Sequence, residues 1–352
     1  MDYKKELEIL VSLIVKEGAS DLHICEGRVP VIRSNGELIP LVKRPVLSSS
    51  DMTGFLGQFL SEANVKVLEK ERTVDFSYSL SDTRFRGNAY YHQGILSVAM
   101  RLIPKRIRTL AELNLPPILE SFTRKAQGFF LVVGPVGQGK TTTLASLVEL
   151  INQTRAEHIL TIEDPIEFLF ESKKSIVDQR EVRIDTPDFH DALTAMFRED
   201  ANVCLLGEMR DPETMSTAVT AAETGHLILS TLHTNNASQT IDRIIDSFPA
   251  SQQDQIRIQL ASTLTGIFSQ RLVPRISGGL IPAYELLINN SAVSNLIRER
   301  RTHEIPTVIE TGLGDGMIDM NRSLADLVRR GEITVESAYL HSLDPKVLEK
   351  LI

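Results

Sequence analysis

The feature that most constrains this chain is an uninterrupted apolar run, Phe129 to Val133, which ends in Gly134-Pro135-Val136-Gly137-Gln138-Gly139-Lys140-Thr141-Thr142 and passes at once into the helical pattern TTTLASLVELI. A strand with no polar face has to lie inside a sheet covered on both sides. Glycines at 134, 137 and 139 let main-chain N–H groups close around an anion, and the helix N-terminus adds its dipole. In a turn of this kind Lys140 is expected to reach the β and γ oxygens of a nucleoside triphosphate and Thr141 to ligate Mg²⁺. Gly134, Pro135, Val136, Gly137, Gln138, Gly139 and Thr142 line the same loop.

The surrounding rhythm extends the reading. After Pro117, apolar strands alternate with helices: FFLVVG, a helix from Lys140, HILTIED, VCLLGEM, a helix around 212–224, and HLILSTL. That alternation predicts a parallel α/β sheet. From Ser238 the signals are mainly helical, including QIRIQLASTLTGIFSQRL, SAVSNLIRER and SLADLVRR, and predict a helical C-terminal region. Residues 1–103 read differently. MDYKKELEILVSLIVKEG is an amphipathic helix stopped at Gly18, followed by short strands with a hairpin expected at Asn35-Gly36, helices near 51–60 and 62–70, and a three-strand meander to Pro104. This is a separate α+β module, and residues 104–117, PKRIRTLAELNLPP, read as the linker to an ATPase-type domain over 118–352.

Composition narrows the partners. Thirty-eight basic against 46 acidic residues leave a net charge of −8, which argues against a broad nucleic-acid-binding surface. No apolar stretch is long enough to span a bilayer, so contact with a membrane is expected only through a protein partner. Two cysteines, Cys25 and Cys204, cannot make a four-cysteine zinc site and fit a cytoplasmic setting.

Further candidates cluster at strand ends. Glu208, at the end of VCLLGEM, is placed to orient and deprotonate an attacking water, the bland alternative being an ion pair with Arg210. In ILTIEDPIEF, Glu163, Asp164 and Glu167 come at the end of another strand, on either side of the turn forced by Pro165, where carboxylates bind Mg²⁺ or solvate a loop. In GHLILSTLHT, His226 and His233 stand at the two ends of one apolar strand and face opposite sides, which argues against a shared metal but leaves open a nucleotide contact or two structural histidines. Arg84, Arg86 and Arg101 sit on first-module strands, as solvated arginines or as cations delivered across a subunit interface.

Together, GPVGQGKT, TIEDPIEF, LLGEMRDPET and AAETGHLILSTLHT resemble the secretion ATPase superfamily of type II secretion and type IV pili. GASDLHI, RFRGNAYY, MRLIP and QRLVP extend the resemblance over nearly the whole chain. SAVSNLIRE and GMIDMNRSLADLVRRGEI are similar to the twitching-motility retraction branch, while Val136 and Gln138 replace the Thr and Ser usual in the loop.

The resemblance implies a PAS-like N-terminal domain, a RecA-like ATPase domain, and assembly as a homohexamer. It implies ATP and Mg²⁺ as ligands, with Glu208 activating water, Glu163 and Glu208 supporting the metal, and His226 and His233 sensing the nucleotide. Arg84 and Arg101 lie on the segments from which arginines reach the nucleotide in that family. The expected work is pilus retraction against an inner-membrane platform protein. Extension or type II secretion, an accessory paralogue that binds without turning over, and nucleic-acid translocation stand as rivals.

Overall fold

A computed structural model describes residues 2–34, 37–80, 83–103 and 106–352; the turn expected at Asn35-Gly36 and the first linker residues, Pro104 and Lys105, lie outside the described residues. By compactness the chain divides into Met1–Arg106 with Glu167–Leu169, and Ile107–Ile166 with Phe170–Ile352.

The first unit begins with α1 (Tyr3–Lys16), capped by Asp2, whose side chain accepts from the Lys5 amide. Its stripe of Leu7, Leu10, Val11 and Ile14 is buried, as the helical spacing requires. Strands β1 (Asp21–Cys25), β2 (Val31–Ser34) and β3 (Glu37–Pro40) precede helices α2 (Ser49–Phe59) and α3 (Glu62–Glu71). The meander β4 (Thr73–Leu80), β5 (Thr83–His92) and β6 (Ile95–Ile103) follows, giving an antiparallel sheet of order β3-β2-β1-β6-β5-β4.

Register sorts this sheet into two faces. Leu22 opposes Met100 and Ile32, and these residues join Phe55 and Phe59 in one core. On the other face Asp21 opposes both Arg33 and Arg101, Arg101 opposes Arg86, and Arg84 is two residues from Arg86. The arginines singled out from sequence therefore share one polar face, and buried Asp21 accepts from Arg101 Nε at 2.8 Å.

In the second unit a short helix, α4 (Glu120–Thr123), leads to β7 (Gly128–Val133). Leu110 and Leu115, within the stretch read as linker, are buried in this unit beside Phe122 and Phe130. Every residue of β7 is buried; Phe129, Leu131 and Val133 point into one core, Phe130 and Val132 into the other. The chain continues through α5 (Lys140–Thr154), β8 (His158–Glu163), β9 (Ile176–Glu181), α6 (Phe189–Met196), β10 (Val203–Leu206), α7 (Pro212–Glu223) and β11 (Leu227–Leu232). Helices α8 (Ala237–Asp246) and α9 (Ala250–Thr263) follow, then β12 (Leu264–Pro274) and β13 (Leu280–Ile288). The sheet order is β13-β12-β7-β11-β10-β8-β9, parallel except for the β12–β13 pair. The sheet is of the parallel α/β class expected from the alternation.

One expectation needs correction. The segment ending in LTGIFSQRLVP reads as helix but is helical only to Thr263; residues 264–274 form β12. Leu264, Ile267, Phe268 and Leu272 fall at helical spacing, yet a strand covered on both faces has no need to alternate, so the spacing imitates a helix. Helices return at α10 (Ser291–Arg298), α11 (Ile305–Thr311), α12 (Met320–Arg329), α13 (Val335–His341) and α14 (Pro345–Glu349). The last three pack on Val273, Ile281 and Ala283 of the β12–β13 pair.

Glu285 on β13 is a buried carboxylate that accepts from the Ala237 amide at the start of α8 at 2.7 Å. Burial pushes its pKa up to about 7, against the pull of that amide, of Ser269 and of Arg271. Because the folded value exceeds the unfolded one, the folded state holds the extra proton between about pH 4.5 and 7, and stability falls as pH rises through that window. Glu285→Gln is expected to flatten this slope, worth on the order of 3 kcal/mol, as read from urea midpoints at pH 5 and pH 8.

Candidate functional site

Four parallel strands, β7, β11, β10 and β8, lie side by side, so their C-terminal ends share one edge of the sheet. Ligands in open α/β sheets bind outside that edge. The loop after β7 turns at Gly134, whose φ is 148° and whose position leaves no room for a Cβ, since the Gln270 carbonyl oxygen lies 2.4 Å from where one would stand. Gly139, at φ 78°, is the N-cap of α5 and supplies no side-chain hydrogen bond. Helices α1, α2, α3, α6, α7 and α8 are instead capped by Asp2, Ser48, Ser61, Asp188, Asp211 and Asn236. The first turn of α5, with Lys140, Thr141 and Thr142, thus presents amides that no side chain of its own cap occupies, a setting that fits a phosphate group.

Lys140 is buried, and its ammonium donates to the carbonyls of Gly134 and Pro135 at 2.8 and 2.9 Å. It lies 3.2 Å from His233 Nδ1. An ammonium can only donate, so Nδ1 accepts and the ring proton is on Nε2. Loss of solvent around the ring and then the Lys140 charge lower the His233 pKa, Glu208 opposing and Arg210 assisting. His233 is therefore a neutral imidazole near pH 7.

Glu208 follows β10 by one residue past Gly207. Its position is set from β11, where the Ser230 and Thr231 hydroxyls donate to the carbonyls of Leu206 and Gly207, each at 2.7 Å. Glu208 also pairs with exposed Arg210 at 2.5 Å, so the ion pair posed as the bland alternative is present and coexists with a place at the strand edge. Glu208, Arg210, His233, Asn235, Gln239 and Arg243 line a cavity of about 510 Å³. Glu163 ends β8, where it is buried and accepts from Thr161 Oγ1 at 2.7 Å and Gln179 Nε2 at 3.3 Å. Its neighbour Asp164 pairs with Arg183 at 3.2 Å. Lys140, His233 and Glu208 thus converge, and Glu163 ends the strand beside Glu208's own.

Within the second unit, His226 is not brought there. His226 stands at the opposite end of β11, a six-residue strand spanning about 20 Å. Its Nδ1 lies 3.0 Å from the Ala221 carbonyl, and its ring meets Phe197 edge-on at 5.5 Å. Within one chain this is a structural environment. Glu167 groups with the first unit, as do Arg84 and Arg101. Sequence reasoning missed Gln270 and Thr143 as neighbours of the loop. QRLVP was the available signal, but its placement on a helix hid its proximity to the loop.

A phosphate loop entering a helix from the centre of a parallel sheet, with a carboxylate two strands away, defines a RecA-like P-loop nucleotide-binding protein. The family model described as Type II/IV secretion system protein matches residues 3–299, and the chain belongs to that family. It is 40% identical over 330 residues to the type IV pilus retractation ATPase PilT of Pseudomonas aeruginosa, covering 94% of this chain and 96% of that one. It is 43% identical over 311 residues to a twitching motility protein of Neisseria gonorrhoeae, covering 88% and 83%. A crystal structure of the pilus retraction motor PilT with bound ADP superposes with a TM-score of 0.91 at 45% identity, covering 97% of this chain and 98% of the other.

Proposed function

We propose that this chain is a Mg²⁺-dependent ATPase that works as a homohexameric motor of type IV pilus retraction. The convergence of Lys140, His233 and Glu208 at one sheet edge carries the chemistry, and the likeness to retraction proteins over nearly full length carries the biology. The loop amides and Lys140 hold the β and γ phosphates. Thr141 with the carboxylates of Glu208 and Glu163 provides a hard oxygen donor set that would hold Mg²⁺, which when bound neutralises charge on the phosphates. Glu208 orients water and takes its proton, and neutral His233, hydrogen-bonded to Lys140, reports whether the phosphate end is occupied.

Arg84 and Arg101 act on the nucleotide of a neighbouring subunit, and movement about residues 104–117 delivers work to an inner-membrane platform protein. Among the described residues no helix is long and apolar enough to cross a membrane, so this reading takes the protein there through that partner. Arg101→Ala is expected to lower kcat by about 100-fold with ATP affinity changed less than about threefold. Steady-state kinetics and ATP binding check it, and equal losses in both would remove the arginine from the transition state.

The reading as a whole is tested in cells carrying Lys140→Ala at the native locus. Excess surface pili with lost twitching is the expected result. Bald cells would instead assign the chain to extension, and unchanged pili and motility to an accessory role.

A further inference from the structure

Gln270 lies on β12 with its side chain almost wholly buried, 3% exposed, against the phosphate loop. Its Nε2 donates to the Gln138 carbonyl at 2.7 Å, and its Oε1 accepts from Thr143 Oγ1 at 2.7 Å. A carbonyl can only accept, so the amide has one orientation that satisfies both ends. The Gln270 carbonyl is the atom that closes the space beside Gly134. One side chain and its own peptide therefore touch the beginning, the end and the following helix of the loop.

The contact is returned. Pairing between β12 and β7 stops at Ser269↔Val133, where β7 gives way to the loop, while β12 continues to Pro274. Past that point the Leu272 amide donates to Gln138 Oε1 at 2.7 Å, so a loop side chain takes the position a strand partner would have filled. Gln138 is the residue at which this loop departs from the serine usual in the family it resembles, and a serine side chain is two carbons shorter.

We propose that Gln270 is a positioning residue for the phosphate loop, with Gln138 as its hook onto β12, and that together they hold the loop amides in phosphate-binding shape before nucleotide arrives. The inference rests on the nucleotide-binding reading of this loop. It predicts a particular kinetic split. Loop amides hold the phosphates in ground and transition states alike, so a loop that must be ordered on binding loses affinity uniformly.

The test uses the full-length protein and N-methylanthraniloyl-ADP, whose fluorescence serves a chain without tryptophan. Gln270→Ala is expected to weaken binding about tenfold and Gln138→Ala about fivefold, with KM for ATP rising in proportion and kcat held within about twofold. The double variant is expected to fall short of the product of the two, because both act on one loop pose. Gln138 is partly exposed, so its variant keeps the test in force if Gln270→Ala does not fold. Unchanged affinity with only a lowered urea midpoint, or a fall in kcat at constant KM, would overturn the proposal. Wild-type protein that fails to bind the probe would overturn the nucleotide reading along with it.

Discussion

Lys140→Ala is expected to cost about 100-fold in ADP affinity while leaving the fold in place. A charged donor to a phosphate oxygen contributes roughly 3 kcal/mol, and each 1.4 kcal/mol is a factor of ten. Of the ammonium's carbonyl partners, Gly134 is buried and Pro135 only partly so, and the urea midpoint should move by about 1–3 kcal/mol equivalent, the cost of a buried acceptor left without its donor. A second readout separates electrostatics from packing. The Lys140 charge helps hold the His233 pKa down, so removing it should raise that pKa toward the ordinary histidine value, seen by NMR titration. Unaltered affinity together with a shifted histidine would mean that Lys140 shapes the pocket without binding phosphate.

The second large effect is expected at Glu208. Glu208→Gln should lower single-turnover hydrolysis by about 10²- to 10⁴-fold, the range for loss of a positioned general base. Nucleotide affinity should hold within about threefold, because removing a negative charge near the phosphates offsets the loss of one Mg²⁺ donor. The ion pair makes this a sharper experiment, since glutamine also releases Arg210. Arg210→Ala is the control: if it matched the loss at Glu208, the pair would be the functional unit and not the carboxylate. A Glu208→Gln protein retaining more than about a tenth of wild-type turnover would move the base to another residue, Glu163 first.

How much of this was legible beforehand depends on whether the information was local. The phosphate loop could be read because its three glycines, its lysine and the apolar strand before it are contiguous, and each has its own physical reason. The strand-end carboxylates were legible for the same reason. What stayed hidden was pairing between distant segments. The hydroxyls of Ser230 and Thr231 look like polar interruptions of an apolar strand until β10 lies beside them. Leu264 to Pro274 has the apolar spacing of a helix and became a strand only because β7 and β13 offered it partners on both edges. His226 and His233 looked equivalent as the two ends of one strand, and only the direction of the sheet separates them.

The burial of β7 has one more consequence. Its residues alternate between two cores, so a slip of a single position would move Phe129, Leu131 and Val133 into space shaped for Phe130 and Val132, and would carry Gly134 away from the one carbonyl it fits against. The phosphate loop cannot be shifted along the strand axis without exchanging the contents of both cores. Whatever moves during a working cycle must therefore move around this strand, which serves as the fixed datum against which a stroke is measured.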